Sequence, residues 1–83
     1  MDQIARSAKH IGAAIRRRRR ALGLTQAQLG ERASLRQATI STVESGEAST
    51  QLRTLFDILA ALDLELAIRE RTKANPASVA DIF

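Results

Sequence analysis

The chain has 83 residues, of which 45% are hydrophobic and 27% are charged, and its formal net charge is +4. It has no Cys and a single histidine, His10, so it cannot form disulfides or thiolate metal sites and has little material for imidazole-based catalysis. We therefore expect no enzymatic activity, no cofactor and no small-molecule substrate. The absence of a long apolar run and of a secretory signal favours a cytoplasmic protein without a membrane partner.

The charge is unevenly distributed along the chain. Residues 1–36 contain 9 Lys and Arg against 2 acidic residues, whereas residues 37–83 contain 4 against 7. A basic half indicates a polyanionic partner, either nucleic acid or an anionic membrane surface. On charge alone, an ordinary solvated helix face is the alternative.

The first predicted helix begins near Ser7, a candidate N-cap, and should end at Gly23 with Leu24 packing back. Its apolar stripe contains Ile11, Ala14, Ile15 and Leu22. Within it lie five consecutive arginines, which cannot share one face because each helical residue turns by about 100°. Arg17 and Arg20 should point to solvent and Arg16 and Arg19 should flank the stripe. Arg18 falls on the stripe, so its stem must snorkel.

Two short helices are predicted next. Thr25 and Gln28 form a capping-box pattern, which begins a second helix that runs to about Ala33. A third helix should span residues 36–45, with Gly46 as its stop. Gly30 would allow close approach of the two helices, and their shared core should contain Leu29, Ala33, Leu35, Ile40 and Val43.

A fourth helix and a strand complete the predicted elements. Ser49 or Thr50 is a candidate N-cap for a helix whose apolar stripe contains Leu52, Leu55, Phe56, Leu59 and Leu62. After it, Leu64, Leu66 and Ile68 alternate with other residues, which predicts a single strand over 64–71 with one buried face. The alternative is that this face folds back on the chain's own core. Residues 72–83 are predicted to be a flexible tail.

The segment TQAQLGERASLRQATISTVESG is typical of a helix-turn-helix. Over about residues 10–62 the chain resembles the Xre-type helix-turn-helix domains of phage repressors, which usually have a glycine in the turn where this chain has Ser34. The resemblance implies an all-α fold of four to five helices over residues 7–63. It also places Arg19 and Glu44 at two positions that form a partly buried ion pair between the first and third helices.

The segments LRQATISTVESG and LRTLFDILAALDLELAIRER are similar to the HipB-type antitoxins, over an outline from Ser7 to Arg71. That resemblance implies that strand 64–71 pairs across a dimer axis through Leu64, Leu66 and Ile68. It further implies a bacterial, nucleoid-associated protein that represses its own operon and binds a HipA-like Ser/Thr kinase toxin. Val79, Ile82 and Phe83 in the tail are candidates for docking to the kinase. The alternative is a stand-alone repressor without a toxin.

The predicted partner is a double-stranded, palindromic operator. The candidate base-reading residues lie at the start or on the outer side of the third helix: Arg36, Gln37, Ala38, Ser41, Thr42 and Ser45. The candidate phosphate contacts are Thr25, Gln26, Arg16, Arg17 and Arg20. A module for single-stranded RNA or peptides is disfavoured, because stacking needs aromatic side chains and Phe56, one of only two, is expected in the core.

Overall fold

The computed structural model describes residues 3–71, so the tail residues Val79, Ile82 and Phe83 lie outside the described part. It contains four helices: α1 (Ala8–Ala21), α2 (Gln26–Ala33), α3 (Gln37–Glu44) and α4 (Leu52–Ala61). Helix α2 packs against α3 and α4, and α1 packs against α3. The four predicted helices are thus present in the predicted order, and residues 3–71 contain no fifth. None of these helices is long and apolar enough to cross a membrane.

The helices differ in how they begin. The Ser7 hydroxyl accepts a hydrogen bond from the backbone N–H of His10, and Thr25 and Gln28 form the predicted capping box. Helices α3 and α4 begin without a side-chain cap. The prediction that Ser49 or Thr50 caps α4 was wrong, because both hydroxyls instead donate to oxygens of Glu47 in the preceding loop.

The helices end alike. Each is followed by a residue with a positive φ: Gly23 (71°), Ser34 (58°), Gly46 (88°) and Asp63 (57°). The backbone N–H of this residue bonds to the carbonyl three residues back, and the next N–H bonds to the carbonyl five residues back. This is the Schellman arrangement, which satisfies carbonyls that the helix leaves without partners. In three cases the next residue packs against the core, namely Leu24, Leu35 and Leu64.

The core is formed by eight buried apolar side chains: Ile15, Leu29, Ile40, Val43, Leu55, Ile58, Leu59 and Leu62. The predicted stripe of α4 was partly wrong, since Leu52 and Phe56 are 66% and 49% exposed while Ile58 is fully buried. The buried residues of α4 are Leu55, Ile58 and Leu59, so the side of the helix that carries Ile58 packs against the rest of the core. Leu22, predicted on the stripe of α1, is also exposed, at the C-cap of that helix.

Residues 64–71, predicted as a strand, form no strand in the described part of the chain. A strand is defined by hydrogen bonds to a neighbouring strand, and the described part of this single chain offers none. Leu64 packs against the core, whereas Leu66 and Ile68 are 48% and 93% exposed. The alternative in which the whole face folds back therefore applies to Leu64 alone. Arg18, which was expected to snorkel, is half-buried, and its Nε donates to the carbonyl of Leu62 just before this segment at 3.0 Å.

Candidate nucleic-acid interface

The turn between α2 and α3 brings the two helices into close contact. A Cβ at Gly30 would lie 2.7 Å from the carbonyl oxygen of Leu35, so a larger residue there would push the helices apart. Ser34 adopts the left-handed conformation, which costs a residue other than glycine about 1 kcal/mol. With Leu29 and Ile40 fully buried between the helices, the opposite side of α3 faces outward.

The candidate base-reading residues lie on the exposed side of α3 and at its two caps, Arg36 and Ser45. We call these six exposed residues the reading face: Arg36, Gln37, Ala38, Ser41, Thr42 and Ser45. Two of their hydroxyls already donate within the chain, Thr42 to the carbonyl of Ala38 at 2.9 Å and Ser45 to the carbonyl of Thr42 at 2.7 Å. A hydroxyl has one hydrogen and two lone pairs, so these two offer an acceptor rather than a donor to a base edge.

The candidate phosphate contacts lie near the start of α2 and on α1. Both the hydroxyl and the backbone N–H of Thr25 are engaged with Gln28, which leaves the N–H groups of Gln26 and Ala27 at the start of α2 available. Arg17 donates to the side-chain oxygen of Gln3 at 2.6 Å. Arg20 is exposed, and its side chain has no hydrogen-bond or ion-pair partner among residues 3–71. Contact of these groups with phosphate stays a prediction.

Behind the reading face, Arg19 of α1 and Glu44 of α3 form the ion pair that the resemblance implies. The Arg19 Nε lies 2.7 Å from Glu44 Oε2 and its Nη2 lies 3.1 Å from Oε1, so the contact is bidentate. The remaining terminal nitrogen, Nη1, donates to the carbonyl of Leu24 at 2.8 Å. The side chain of Glu44 is fully buried and that of Arg19 is 10% exposed. The pair therefore joins α1, α3 and the connection between α1 and α2.

The surroundings of this pair decide its charge state. Burial acts to raise the pKa of the Glu44 carboxyl, but hydrogen bonds from Arg19, Gln26 and Arg16, together with the charge of Arg19, outweigh it and hold the pKa below its usual range. The hydrogen bond to Glu44 likewise raises the pKa of Arg19, against the effect of burial. Both side chains are thus ionised at neutral pH.

Two predicted phosphate contacts also bond to Glu44. The Nε of Arg16, whose side chain is 47% exposed, lies 3.5 Å from Glu44 Oε1. The Nε2 of Gln26 donates to the same oxygen at 3.2 Å, and the Oε1 of Gln26 accepts from the Nε2 of Gln37 at 3.4 Å. We call these five residues, Arg16, Arg19, Gln26, Gln37 and Glu44, the Glu44 network. It connects the buried ion pair with the reading face, and sequence reasoning missed its two glutamine bonds.

Sequence reasoning also missed Gly12. A Cβ at this position would lie 2.5 Å from the carbonyl oxygen of Val43 and 2.7 Å from that of Glu44. The backbone of α1 therefore touches the backbone of α3 where the ion pair forms. The sequence offered one signal for this contact, a glycine inside the first predicted helix next to Ile11, where glycine costs about 1 kcal/mol relative to alanine.

Comparison with known proteins gives the family. The helix-turn-helix family (HTH_3) matches residues 15–68. Antitoxin HipB of Escherichia coli K12 is 38% identical over 56 residues, which cover 68% of this chain and 64% of that protein. Antitoxin HipB of Escherichia coli O6:H1 strain CFT073 is 37% identical over 54 residues, which cover 65% of this chain and 57% of that protein. The chain thus spans less than two thirds of the length of these curated relatives.

Solved structures of HipB are also similar to this chain. A HipB–O4 20mer complex has a TM-score of 0.80 at 31% identity, and the match covers 86% of this chain and 100% of that one. A HipA–HipB–O2–O3 complex has a TM-score of 0.80 at 31% identity, again over 86% of this chain and 100% of that one. The family is one of DNA-binding regulators that are not enzymes. Because these matches cover more than half of this chain and the whole of the solved HipB chains, the protein belongs to the helix-turn-helix family as a HipB-type member.

Proposed function

We propose that this protein is a DNA-binding antitoxin that recognises a double-stranded operator as a homodimer. The observation that carries the proposal is the reading face, a set of six exposed and mostly polar residues. The other side of the same helix is buried in the core. The solved HipB complexes with 20mers support it. A short helix held in this way is suited to lie in a major groove.

The reading face has the groups that the major groove requires. The Gln37 amide pairs with N6 and N7 of adenine, and the Arg36 guanidinium pairs with O6 and N7 of guanine. The methyl group of Ala38 fits against a thymine methyl. Ser41, Thr42 and Ser45 lie further along the same face, with the acceptor lone pairs described above. Each good bidentate pairing is worth about 1–3 kcal/mol of discrimination between bases.

Phosphate contacts position the protein on the duplex. Donors or positive charge come from the N–H groups at the start of α2 and from five side chains on the basic half of the chain, those of Thr25, Gln26, Arg16, Arg17 and Arg20. These contacts carry no sequence information. They make affinity depend on salt, because each neutralised phosphate releases counterions.

The homodimer is proposed to form through residues 64–71. In the single chain Leu66 and Ile68 are exposed, and pairing two such segments as strands would satisfy their backbone groups and cover these side chains. A two-fold axis at this position would hold two reading faces against major grooves about 34 Å apart, or a multiple of that distance. The operator would then be palindromic.

The remaining functions concern the toxin. We propose that the protein represses its own operon in the bacterial cytoplasm, at the nucleoid, and that it binds and neutralises a HipA-like Ser/Thr kinase. The solved HipA–HipB–O2–O3 complex supports this partnership. Val79, Ile82 and Phe83 are proposed to dock to the kinase, because apolar side chains close together in sequence gain free energy when a partner's pocket covers them.

Selection from a library of randomised DNA duplexes tests the DNA function. We expect two inverted half-sites, bound by a dimer in a light-scattering measurement of the complex. A single asymmetric half-site bound by a monomer would contradict the dimer proposal, and no enrichment over the starting library would contradict DNA reading altogether.

A pull-down with the product of the neighbouring gene tests the toxin partnership. Binding of a kinase-sized protein is expected, and a chain truncated after Arg71 should still bind DNA but hold the kinase less tightly. If the truncated chain binds the kinase equally well, docking lies on the helical body. If no kinase is bound at all, the stand-alone repressor is the correct reading.

A further inference from the structure

We infer that Arg18 is a positioning residue that sets the distance between the two reading faces of the proposed dimer. The inference rests on the proposed function, in which residues 64–71 pair across a two-fold axis, and deepens it. It starts from one hydrogen bond between parts of the chain that lie 44 residues apart. The Nε of Arg18 in α1 donates to the carbonyl oxygen of Leu62, at the end of α4, at 3.0 Å.

This bond serves a carbonyl at the C-terminal end of α4. Backbone N–H groups of residues 62–64 bond to carbonyls of residues 58–60, as in the other Schellman ends. The carbonyl of Leu62, the C-cap residue, accepts instead from the side chain of Arg18. A cation is a suitable donor there, because the last carbonyls of a helix form the negative end of its dipole. Arg18 therefore joins α1 to α4 at the point where the chain leaves that helix.

The position of this carbonyl governs the direction in which the chain leaves α4. The oxygen belongs to the peptide group between Leu62 and Asp63, whose N–H bonds to the carbonyl of Ala60 at 3.1 Å. Because a peptide group is planar, holding it at both its N–H and its oxygen fixes its orientation. That orientation sets the ψ of Leu62, 5°, and the φ of Asp63, 57°. From Glu65 to Arg71 each residue is exposed, so burial does not hold this stretch in place.

A small change in this direction produces a large displacement. Paired as a strand, residues 64–71 would span about 23 Å, so a rotation of roughly 10° at Asp63 would move the far end by about 4 Å. One base pair of B-DNA occupies about 3.4 Å along the helix axis. The half-site spacing that the dimer accepts therefore depends on the conformation at residues 62 and 63, outside the reading face.

The neighbouring residue, Arg19, connects the same helix to the reading face. It pairs with Glu44 of α3, and Gly12 brings the backbone of α1 against that of α3. Since successive helical residues point about 100° apart, Arg18 and Arg19 reach different partners from one turn of α1. Through α1, these two arginines fix the reading face relative to residues 64–71 and hence to the proposed two-fold axis.

The test measures which half-site spacing the dimer accepts. Paired half-sites selected by the wild-type protein are remade with one base pair added or removed between them, and their affinities are measured for wild type and Arg18→Met. Methionine keeps an unbranched stem and a similar helix propensity but has no donor for Leu62. We expect the ratio of affinities for selected over altered spacing to fall roughly three- to tenfold, the size of one hydrogen bond's net contribution. Affinity for a duplex with a single half-site should not change, because the reading face is intact.

Further variants and outcomes separate this role from simpler ones. Arg18→Leu removes the donor with a second side chain and should lower the ratio in the same way. Arg32→Leu, at an exposed arginine of α2 whose side chain has no hydrogen-bond or ion-pair partner among residues 3–71, should leave it unchanged.

Two results would overturn the inference. If Arg18→Met lowers the free energy of unfolding but keeps the wild-type ratio, the bond only stabilises the end of α4. If it weakens every duplex equally, the single half-site included, Arg18 is a phosphate contact. If the wild-type protein selects no paired half-sites, the proposed dimer fails instead.

Discussion

The two sides of α3 differ in burial and in the contacts that they make. One side, with Ile40, Val43 and Glu44, is buried against α1 and α2 and contains the carboxylate of a buried ion pair. The other side is the reading face, whose residues are exposed and make few contacts within the chain. The eight residues of α3 thus keep the proposed DNA-contacting side chains apart from those that stabilise the fold. Substitutions on the first side should act on unfolding, and those on the second on DNA binding.

Loss of Arg19 should have the largest effect. Arg19→Ala leaves the buried carboxylate of Glu44 without its bidentate partner, so we expect a loss of about 3–5 kcal/mol in the free energy of unfolding. Denaturant titration measures it. Arg20→Ala, the adjacent exposed arginine, is the control and should change stability by no more than about 0.5 kcal/mol. Equal effects at both positions would mean that the ion pair does not stabilise the fold.

Acid should weaken the same ion pair without a mutation, and the loss of stability should be smaller than in Arg19→Ala. The folded-state pKa of Glu44 is lowered, so its contribution is fully present above the ordinary glutamate pKa and is lost as pH falls through the folded-state value. We therefore expect wild type to be more stable than Glu44→Gln at pH 7, and the difference to shrink below about pH 4. A difference that stays constant with pH would argue against an ionised, paired Glu44.

Gly12→Ala tests the close crossing of α1 and α3. In an isolated helix this change stabilises by about 1 kcal/mol. Here the new Cβ would meet the carbonyls of Val43 and Glu44, and overpacking costs about 1–3 kcal/mol. We expect a net loss of stability in thermal unfolding. Ala13→Gly, the reverse change at the exposed neighbouring position, is the control for helix propensity and should also lower the stability. A stabilised Gly12→Ala would show that the backbones can separate at little cost.

Gln37→Ala should affect only the other side of α3. We expect a loss of about 1–3 kcal/mol in operator binding and a relaxed preference at one base pair per half-site. The free energy of unfolding should change by no more than about 0.5 kcal/mol, because the side chain is exposed. Titrations with operator and scrambled duplexes measure the first effect. Equal losses on both duplexes would remove Gln37 from the base-reading residues.

Ser34→Gly should have the smallest effect, and in the opposite direction. The left-handed conformation of Ser34 costs about 1 kcal/mol or more, part of which is offset by the greater freedom of glycine in the unfolded chain. We expect a gain of about 0.5 kcal/mol in the free energy of unfolding, with base preference unchanged. Thermal unfolding checks the first expectation and the duplex titrations the second. A destabilised variant would mean that the serine side chain supports the turn.

The sequence predicted the features that depend on local chemistry. The caps at Ser7 and Thr25 and the stops at Gly23 and Gly46 each need only a few neighbouring residues, and the structure contains all four. The position of Ser34 in a left-handed turn could not be read from propensity, because only its place between two tightly packed helices requires it.

The features that sequence could not predict depend on distant partners. Helix α4 has enough apolar residues for two stripes, so periodicity could not decide that Ile58 rather than Phe56 enters the core. The bonds that join Gln26 to Glu44 and Gln37 require three helices to meet, and no spacing within one helix reveals them. Pairing of residues 64–71 depends on a second chain and stays a prediction.

The Schellman ends have a consequence for divergence among relatives. Helix α3 is bounded by the left-handed residues Ser34 and Gly46, and its orientation is set by its buried side. Neither the ends nor the orientation of α3 depend on the exposed side chains of Ala38, Ser41 and Thr42. These positions can therefore be exchanged between homologous proteins without shifting the helix. Under the proposed function, new operator preferences can therefore arise in steps that leave the fold intact.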